Sequence, residues 1–139
     1  NPTLATIWRI TKALESPLED ILSVKEGTTC FEKLSQNATP EVMSEDSGFR
    51  LKILGTLNTV STVQWYEFSA EPKAELVSEA HGSGSLESLT LCTGELTVIV
   101  GDETQKICKG DTLRFRTDVA HRLKNEGKGK AHGFMVNLL

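Results

Sequence analysis

The chain has 139 residues, of which 38% are apolar and 24% charged, and its formal net charge is −4. This length predicts one hydrophobic core, and the composition is typical of an ordinary soluble globular protein. The acidic balance excludes an electrostatic footprint for nucleic acid on these residues. No apolar run approaches the roughly 18 residues of a membrane span, so we expect no membrane partner, and we see no signal peptide.

The N-terminal segment predicts two short helices. Asn1 can cap the first helix and Pro2 suits its first turn, and apolar residues then recur at helical spacing as far as Leu14. A capping box with proline at its first helical position begins a second helix at Ser16, which extends to Leu22. Periodicity alone would favour an ordinary amphipathic helix pair.

The segment from Ser23 to Gly48 is polar, and its sparse apolar residues show no sustained period. This composition predicts a linker with an early β-arm around Phe31.

From Phe49 onward, short runs of β-forming residues are separated by turns. Gly94, Gly101 and Gly110 fall between the runs, where glycine can supply a positive φ. Many short strands at this spacing are typical of an antiparallel sandwich or barrel. The predicted strands are Arg50–Leu54, Thr62–Ser69, Leu86–Cys92, Glu95–Val100, Thr104–Ile107, Thr112–Phe115, Arg122–Asn125 and His132–Leu138.

Two spaced sets of polar and glycine residues occur within this β-patterned half. Two imidazoles and a carboxylate from separate strand-like runs are groups that a divalent metal prefers. The spacing resembles the two motifs of the cupin family, of which the first centres on His-x-His and a later Glu, and the second on a His followed by Asn. The matching residues are His81, Glu87 and Gly94 for the first motif and Gly110, His121 and Asn125 for the second.

Four positions depart from the cupin pattern. Ser83 stands where the second His belongs, Glu75 replaces the opening Gly, Arg116 replaces Pro, and Asp118 replaces the inner Gly. One of the four expected ligands is therefore missing. The resemblance implies a mainly β fold, the cupin-type double-stranded β-helix (jelly roll), with a short helical remnant before it.

The same resemblance implies a metal site formed by His81, Glu87 and His121. Two imidazoles and one carboxylate can suffice for Zn²⁺ or Fe²⁺, with positions left open for water or a ligand. The alternative is that these groups only form hydrogen bonds around a pocket. His132 lies outside both motifs and is more typical of a strand histidine, and we expect Asn125 to stabilise its own loop.

Strand alternation predicts which residues face the interior. If Glu87 points inward, Leu89 and Leu91 share its face of the strand. If His121 points inward, Leu123 shares its face in the same way. Alternation leaves the earlier strand undecided, and we place Tyr66 inward because its hydroxyl can orient a ligand in an apolar cavity. The predicted ligand-binding residues are Tyr66, Ser83, Leu89, Leu91, Phe115 and Leu123.

The N-terminal segment resembles the last long helix and the short closing helix of a Cro/repressor-type (XRE-like) helix-turn-helix domain. The chain begins partway through this resemblance, so we expect the helix that enters the DNA groove to belong to a longer parent protein. The two resemblances together indicate a bacterial regulator with a cupin sensor. The predicted division is a helix-turn-helix remnant over 1–23, a linker and arm over 24–48, and a cupin sensor domain over 49–139.

The function predicted from these resemblances is a cytoplasmic, DNA-binding transcription regulator that senses a small polar metabolite, such as an amino acid or a carboxylate. A cupin metalloenzyme of the dioxygenase or isomerase type and a dimerisation module with an inert cavity are the alternatives. We favour a non-enzyme, because no activated nucleophile can be identified. Repressor-like domains often read palindromic operators, so we expect a homodimer.

The three cysteines, Cys30, Cys92 and Cys108, show no close pairing. They predict free thiols in a reducing cytoplasm. A redox sensor is the alternative, because Lys106 and Lys109 would lower the pKa of the Cys108 thiol.

Overall fold

The computed structural model describes Ala13 and residues 31–44, 48–56 and 59–139. The chain divides into two compact units, Asn1–Lys33 and Leu34–Leu139. The predicted helix pair lies outside the described residues except for Ala13, which is helical. Among the residues described, no helix has the length and apolar character needed to cross a membrane.

Short strands separated by turns make up nearly all of the second unit. A 3₁₀ turn at Gln36–Ala38 comes first. The strands that follow are β1 (Glu41–Met43), β2 (Phe49–Ile53), β3 (Val63–Ala70), β4 (Glu75–Ser78), β5 (Leu86–Thr93), β6 (Glu95–Val100), β7 (Glu103–Cys108), β8 (Thr112–Arg116), β9 (His121–Lys124) and β10 (Ala131–Leu138).

The strands form two antiparallel sheets. The larger sheet has the order β1-β2-β3-β10-β5-β8, and the smaller has the order β4-β9-β6-β7. Every pairing between described strands is antiparallel. The predicted mainly β jelly roll is therefore confirmed.

Two strands were not among those predicted. β1 pairs with β2 and lies further along the chain than the arm predicted around Phe31. β4 pairs with β9 and forms one edge of the smaller sheet. The other eight strands begin and end within one or two residues of the predicted positions.

The core lies between the sheets and follows the predicted alternation. On β5, Glu87, Leu89 and Leu91 are buried, whereas the residues between them are exposed or half-buried. On β9, His121 and Leu123 are buried, and Arg122 between them is exposed. Glu87 and His121 thus share the inward faces of their strands with leucines of the core.

Gly133 in β10 allows close packing at the centre of the larger sheet. A Cβ at this position would lie 2.9 Å from the ring of Phe68 and would collide with the carbonyl oxygen of Thr90. Gly94 has φ near 81° at the β5–β6 turn, and Gly110 has φ near 94° before β8. The prediction that these turns use positive φ is confirmed for both glycines.

Candidate metal centre

Three residues from different parts of the fold converge inside the jelly roll. Glu87 lies on β5, His121 begins β9, and His81 lies in the loop between β4 and β5. One potential ligand atom from each lies within 4.8 Å of the others. The structure thus brings together all three residues that the motif spacing predicted as ligands.

Backbone and side-chain hydrogen bonds hold the His81 loop against the end of β8. The His81 amide donates to the carbonyl oxygen of Thr117 at 2.7 Å, and the Thr117 amide donates to the carbonyl oxygen of Ser85 at 3.1 Å. The Thr117 hydroxyl also donates to the Ser85 hydroxyl at 2.9 Å, and both residues are buried. These hydrogen bonds position His81, although part of the residue remains exposed to solvent.

Glu87 is a buried carboxyl group that lacks a close partner. The residue is 2% exposed, and its Oε1 has no hydrogen-bond partner. Its Oε2 lies 3.8 Å from Nε2 of His121, which is beyond hydrogen-bonding distance. Burial raises the pKa of Glu87 to about 8, because the charged form is poorly solvated there. A cation between these groups would offset that cost.

The two imidazoles are arranged as neutral metal ligands require. Nδ1 of His121 lies 3.1 Å from the carbonyl oxygen of Val119, an atom that can only accept, so Nδ1 carries the proton. In the neutral ring, Nε2 then presents its lone pair toward Glu87, as in metal sites where a backbone carbonyl orients the ligating histidine. Burial, and next the neighbouring His121, lower the pKa of His81, which favours its neutral form. The two rings meet edge to face, with centroids 5.3 Å apart.

Two aromatic side chains lie close to the trio. The ring of Phe115 lies edge to face against His121, with centroids 5.7 Å apart. Tyr66 is half-buried, and burial, followed by the charge of Glu87, raises the pKa of its hydroxyl. Of the other residues predicted to bind a ligand, those in the buried core are Leu89, Leu91 and Leu123.

Ser83 is exposed on the loop that carries His81, whereas Ser85 is the buried serine of that loop. Ser83 is therefore not among the buried residues around the trio.

Asn125 and His132 occupy positions outside the trio, as the sequence predicts. The buried Asn125 amide donates to the carbonyl oxygens of Ala70 and Gly129, each at 2.9 Å, and accepts from the Gly127 amide at 3.0 Å. It stabilises its own loop. His132 instead lies 2.9 Å from a glutamate carboxylate on β3, where both side chains are partly exposed.

Sequence reasoning missed Asn137, which is buried on β10 with its Oδ1 lacking a hydrogen-bond partner. Its Cα pairs with those of Glu87 on one side and Gln64 on the other. The alternation of Met135 and Asn137 along β10 is the signal that could have identified it.

Comparisons with known proteins identify the family and the fold. Residues 66–137 match the Cupin_2 family, described as a cupin domain. The HTH-type transcriptional regulator SutR of Escherichia coli (strain K12) is 28% identical over 135 residues, which cover 95% of this chain and 69% of SutR.

Two solved structures show a similar fold. The Cupin_2 domain of an XRE family transcriptional regulator from Enterobacter cloacae has a TM-score of 0.61 at 20% identity, covering 66% of this chain and 97% of that domain. A sugar phosphate isomerase from a cupin superfamily of Silicibacter pomeroyi DSS-3 has a TM-score of 0.60 at 19% identity, covering 78% of this chain and 76% of the isomerase. Because the family match covers residues 66–137, which include His81, Glu87 and His121, the chain belongs to the Cupin_2 family of cupin domains.

Proposed function

We propose that this chain is the sensory part of a DNA-binding transcription regulator and that its cupin domain binds a small polar metabolite through a divalent metal. The observation that carries this proposal is the convergence of His81, Glu87 and His121 on a buried point where the carboxyl group has no partner. The likeness to SutR supports a regulatory output for that binding.

The three side chains fit a divalent cation in their chemistry, and Glu87 would give up its proton when the cation binds. Two neutral imidazoles and one carboxylate suit Zn²⁺ or Fe²⁺, and three protein ligands leave positions open for an exogenous ligand. When bound, the metal would supply a Lewis-acidic point of attachment for a carboxylate or similar group. The chain's own residues hold His121 in the required tautomer, favour the neutral form of His81 and place the ring of Phe115 against His121.

Regulation requires that the effector bind one conformation of the parent protein better than another. The loop that carries His81 is a suitable element for this, because it contributes one ligand and is tied through Thr117 to the segment before β9. An effector that binds at the metal centre can therefore change the conformation of this loop. We propose that the output is DNA binding in the cytoplasm, through a helix-turn-helix domain that residues 1–23 complete.

A homodimer is the proposed assembly, with contact through the outer face of the larger sheet. Three large apolar side chains of this face are partly exposed, as is typical of residues that a partner covers. They are Trp65 on β3, which is 48% exposed, and Phe134 and Leu138 on β10, which are 38% and 48% exposed. We expect light scattering to give a dimer mass, and we expect Trp65→Glu to shift it toward the monomer. The substitution Gln105→Glu on the exposed β7 provides the control.

A metalloenzyme of the isomerase or dioxygenase type is the second candidate. It is favoured by Tyr66 and Glu87, whose pKa values are both raised. The two groups lie close enough for the charge of Glu87 to raise the pKa of Tyr66. Turnover of a bound small molecule by the Fe²⁺-loaded or Zn²⁺-loaded protein would support the enzyme, whereas binding without turnover supports the sensor.

The proposed function is tested with the full-length parent protein. We expect native mass spectrometry to detect one divalent ion in each chain and a change in operator affinity when the effector is added. His121→Ala should abolish both effects. His132→Ala is the matched control, because it removes a histidine that is also paired with a carboxylate but lies outside the interior. If His121→Ala and the unaltered protein respond to the effector identically, the sensing role is wrong.

A further inference from the structure

The buried side chain of Asn137 has a hydrogen-bond acceptor, Oδ1, that receives no hydrogen bond from the residues that the structure describes. Asn137 is 4% exposed, and its Oδ1 has no partner. Buried polar atoms in folded proteins nearly always have a hydrogen-bond partner, because burial without one is unfavourable. An unpaired oxygen in the interior of a binding domain therefore indicates a donor supplied by another molecule.

The strand register places this oxygen beside the candidate metal centre. On β10, Asn137 is opposite Glu87 of β5 and opposite Gln64 of β3. Side chains at directly paired positions project from the same face of a sheet, with Cβ atoms about 4.5–5.5 Å apart. Since Glu87 points into the jelly roll, Asn137 faces the same space. A small molecule bound at the metal centre would reach both side chains.

The side chains beside Asn137 are unsuited to supply the missing donor. Oε1 of Gln64 accepts from the Tyr66 hydroxyl at 3.0 Å, and its Nε2 donates to the Val60 carbonyl oxygen at 3.3 Å. Once Glu87 binds a cation it is a deprotonated carboxylate, which has no proton to donate to Asn137. Two adjacent acceptors cannot satisfy each other.

We propose that Oδ1 of Asn137 accepts a hydrogen bond from the effector, and that the effector is an α-amino or α-hydroxy carboxylate. Such a molecule places a carboxylate, which can bind a divalent metal, next to an N–H or O–H donor within one small unit. An α-keto carboxylate can bind the metal in the same way but lacks the donor. This inference rests on the proposed function and adds the class of effector.

Matched ligand series provide the test. The Zn²⁺-loaded protein is titrated by calorimetry with α-amino, α-hydroxy and α-keto acids that carry the side chains of alanine, leucine, glutamate and phenylalanine. We expect at least one amino or hydroxy acid to bind, and its keto counterpart to bind at least about tenfold more weakly, since a site built to accept a hydrogen bond discriminates against analogues without a donor. The comparison of amino with hydroxy acids then identifies which donor is read.

The variant Asn137→Leu separates recognition from structure. It keeps a similar side-chain volume and removes the acceptor, so we expect it to lose the preference over keto acids while its Zn²⁺ affinity stays within about twofold. Its Tm without metal should equal or exceed that of the unaltered protein, because an unpaired buried atom has been removed. Gln105→Leu, which replaces an exposed amide on β7, is the control and should change neither the preference nor the Zn²⁺ affinity.

Several results would overturn the inference. The ligand series would overturn it if a keto acid bound as tightly as its donor-bearing counterpart, or if protein that binds Zn²⁺ bound none of the series. The variant would overturn it if Asn137→Leu kept the preference over keto acids, or if its Tm fell by a large amount. Each of these leaves the proposed function intact if operator binding by the full-length parent still responds to a different effector. Failure to bind Zn²⁺ or Fe²⁺ at all would instead contradict the proposed function.

Discussion

Replacing Glu87 with glutamine should stabilise the metal-free protein, and the gain should grow with pH. Glutamine has nearly the same shape as glutamate but carries no charge, so it removes the cost of ionising a carboxyl group that is 2% exposed. The folded protein keeps this proton up to about pH 8, whereas the unfolded chain releases it near the ordinary glutamate pKa of 4.5. Between these values the folded state binds more protons, and the free energy of unfolding therefore falls as the pH rises.

The magnitude follows from the two pKa values. The difference between 4.5 and about 8, at about 1.36 kcal/mol for each pH unit, sets an upper bound of about 5 kcal/mol above pH 8. About 3 kcal/mol of this accrues by pH 7. Water that enters the site screens the charge and reduces both values. The lowered pKa of His81 gives an opposite slope below its usual value, but it contributes equally to both proteins and cancels in their difference.

Denaturant unfolding in EDTA between pH 5 and pH 9 measures this difference. We expect Glu87→Gln and the unaltered protein to have similar stabilities at pH 5 and to diverge steadily until about pH 8, where the gap levels off. Glu103→Gln, which changes an exposed carboxyl group on β7, should stay within about 0.5 kcal/mol throughout. A gap that is constant with pH, or one that narrows as the pH rises, would refute the reasoning.

Three further predictions concern the metal and two residues of the fold. At pH 7, metal binding should release about one proton, because Glu87 must lose its proton to bind the cation, and the calorimetric enthalpy should therefore vary with the ionisation enthalpy of the buffer. Gly133→Ala should lower the free energy of unfolding by about 1–3 kcal/mol, since its Cβ would collide with neighbouring strands, whereas Gly129→Ala has open space and should be nearly neutral in the same urea titration. Asn125→Ala should cost about 2–4 kcal/mol through three lost hydrogen bonds, while elemental analysis should still find the same metal content as in the unaltered protein.

The fold was predictable from the sequence because turns and alternation repeat so regularly. The alternation of buried and exposed positions on β5 and β9 fixes which way Glu87 and His121 point, and the glycine turns limit where each strand can end. β1 and β4 escaped prediction for physical reasons. All three residues of β1 are exposed, and β4 is a four-residue edge strand with no fully buried residue, so neither shows an apolar pattern.

The candidate site was only partly predictable. The spacing identified the three ligand candidates, because a family motif records which loop and strands converge. It could not identify Asn137, whose importance depends on cross-strand pairing with residues more than forty positions earlier in the chain. Nor could it place Ser83, which the loop turns toward solvent while Ser85 points inward.

The origin of the three candidate ligands has a mechanical consequence. Glu87 belongs to the larger sheet, His121 to the smaller, and His81 to the loop that passes from one to the other. An ion bound by all three residues would crosslink the two sheets, and its bonds to the protein would have to break before the sheets could separate. Its loss would then shorten the kinetic lifetime of the folded molecule as well as empty the site. A protein built in this way would make its own persistence in the cell depend on the supply of the metal.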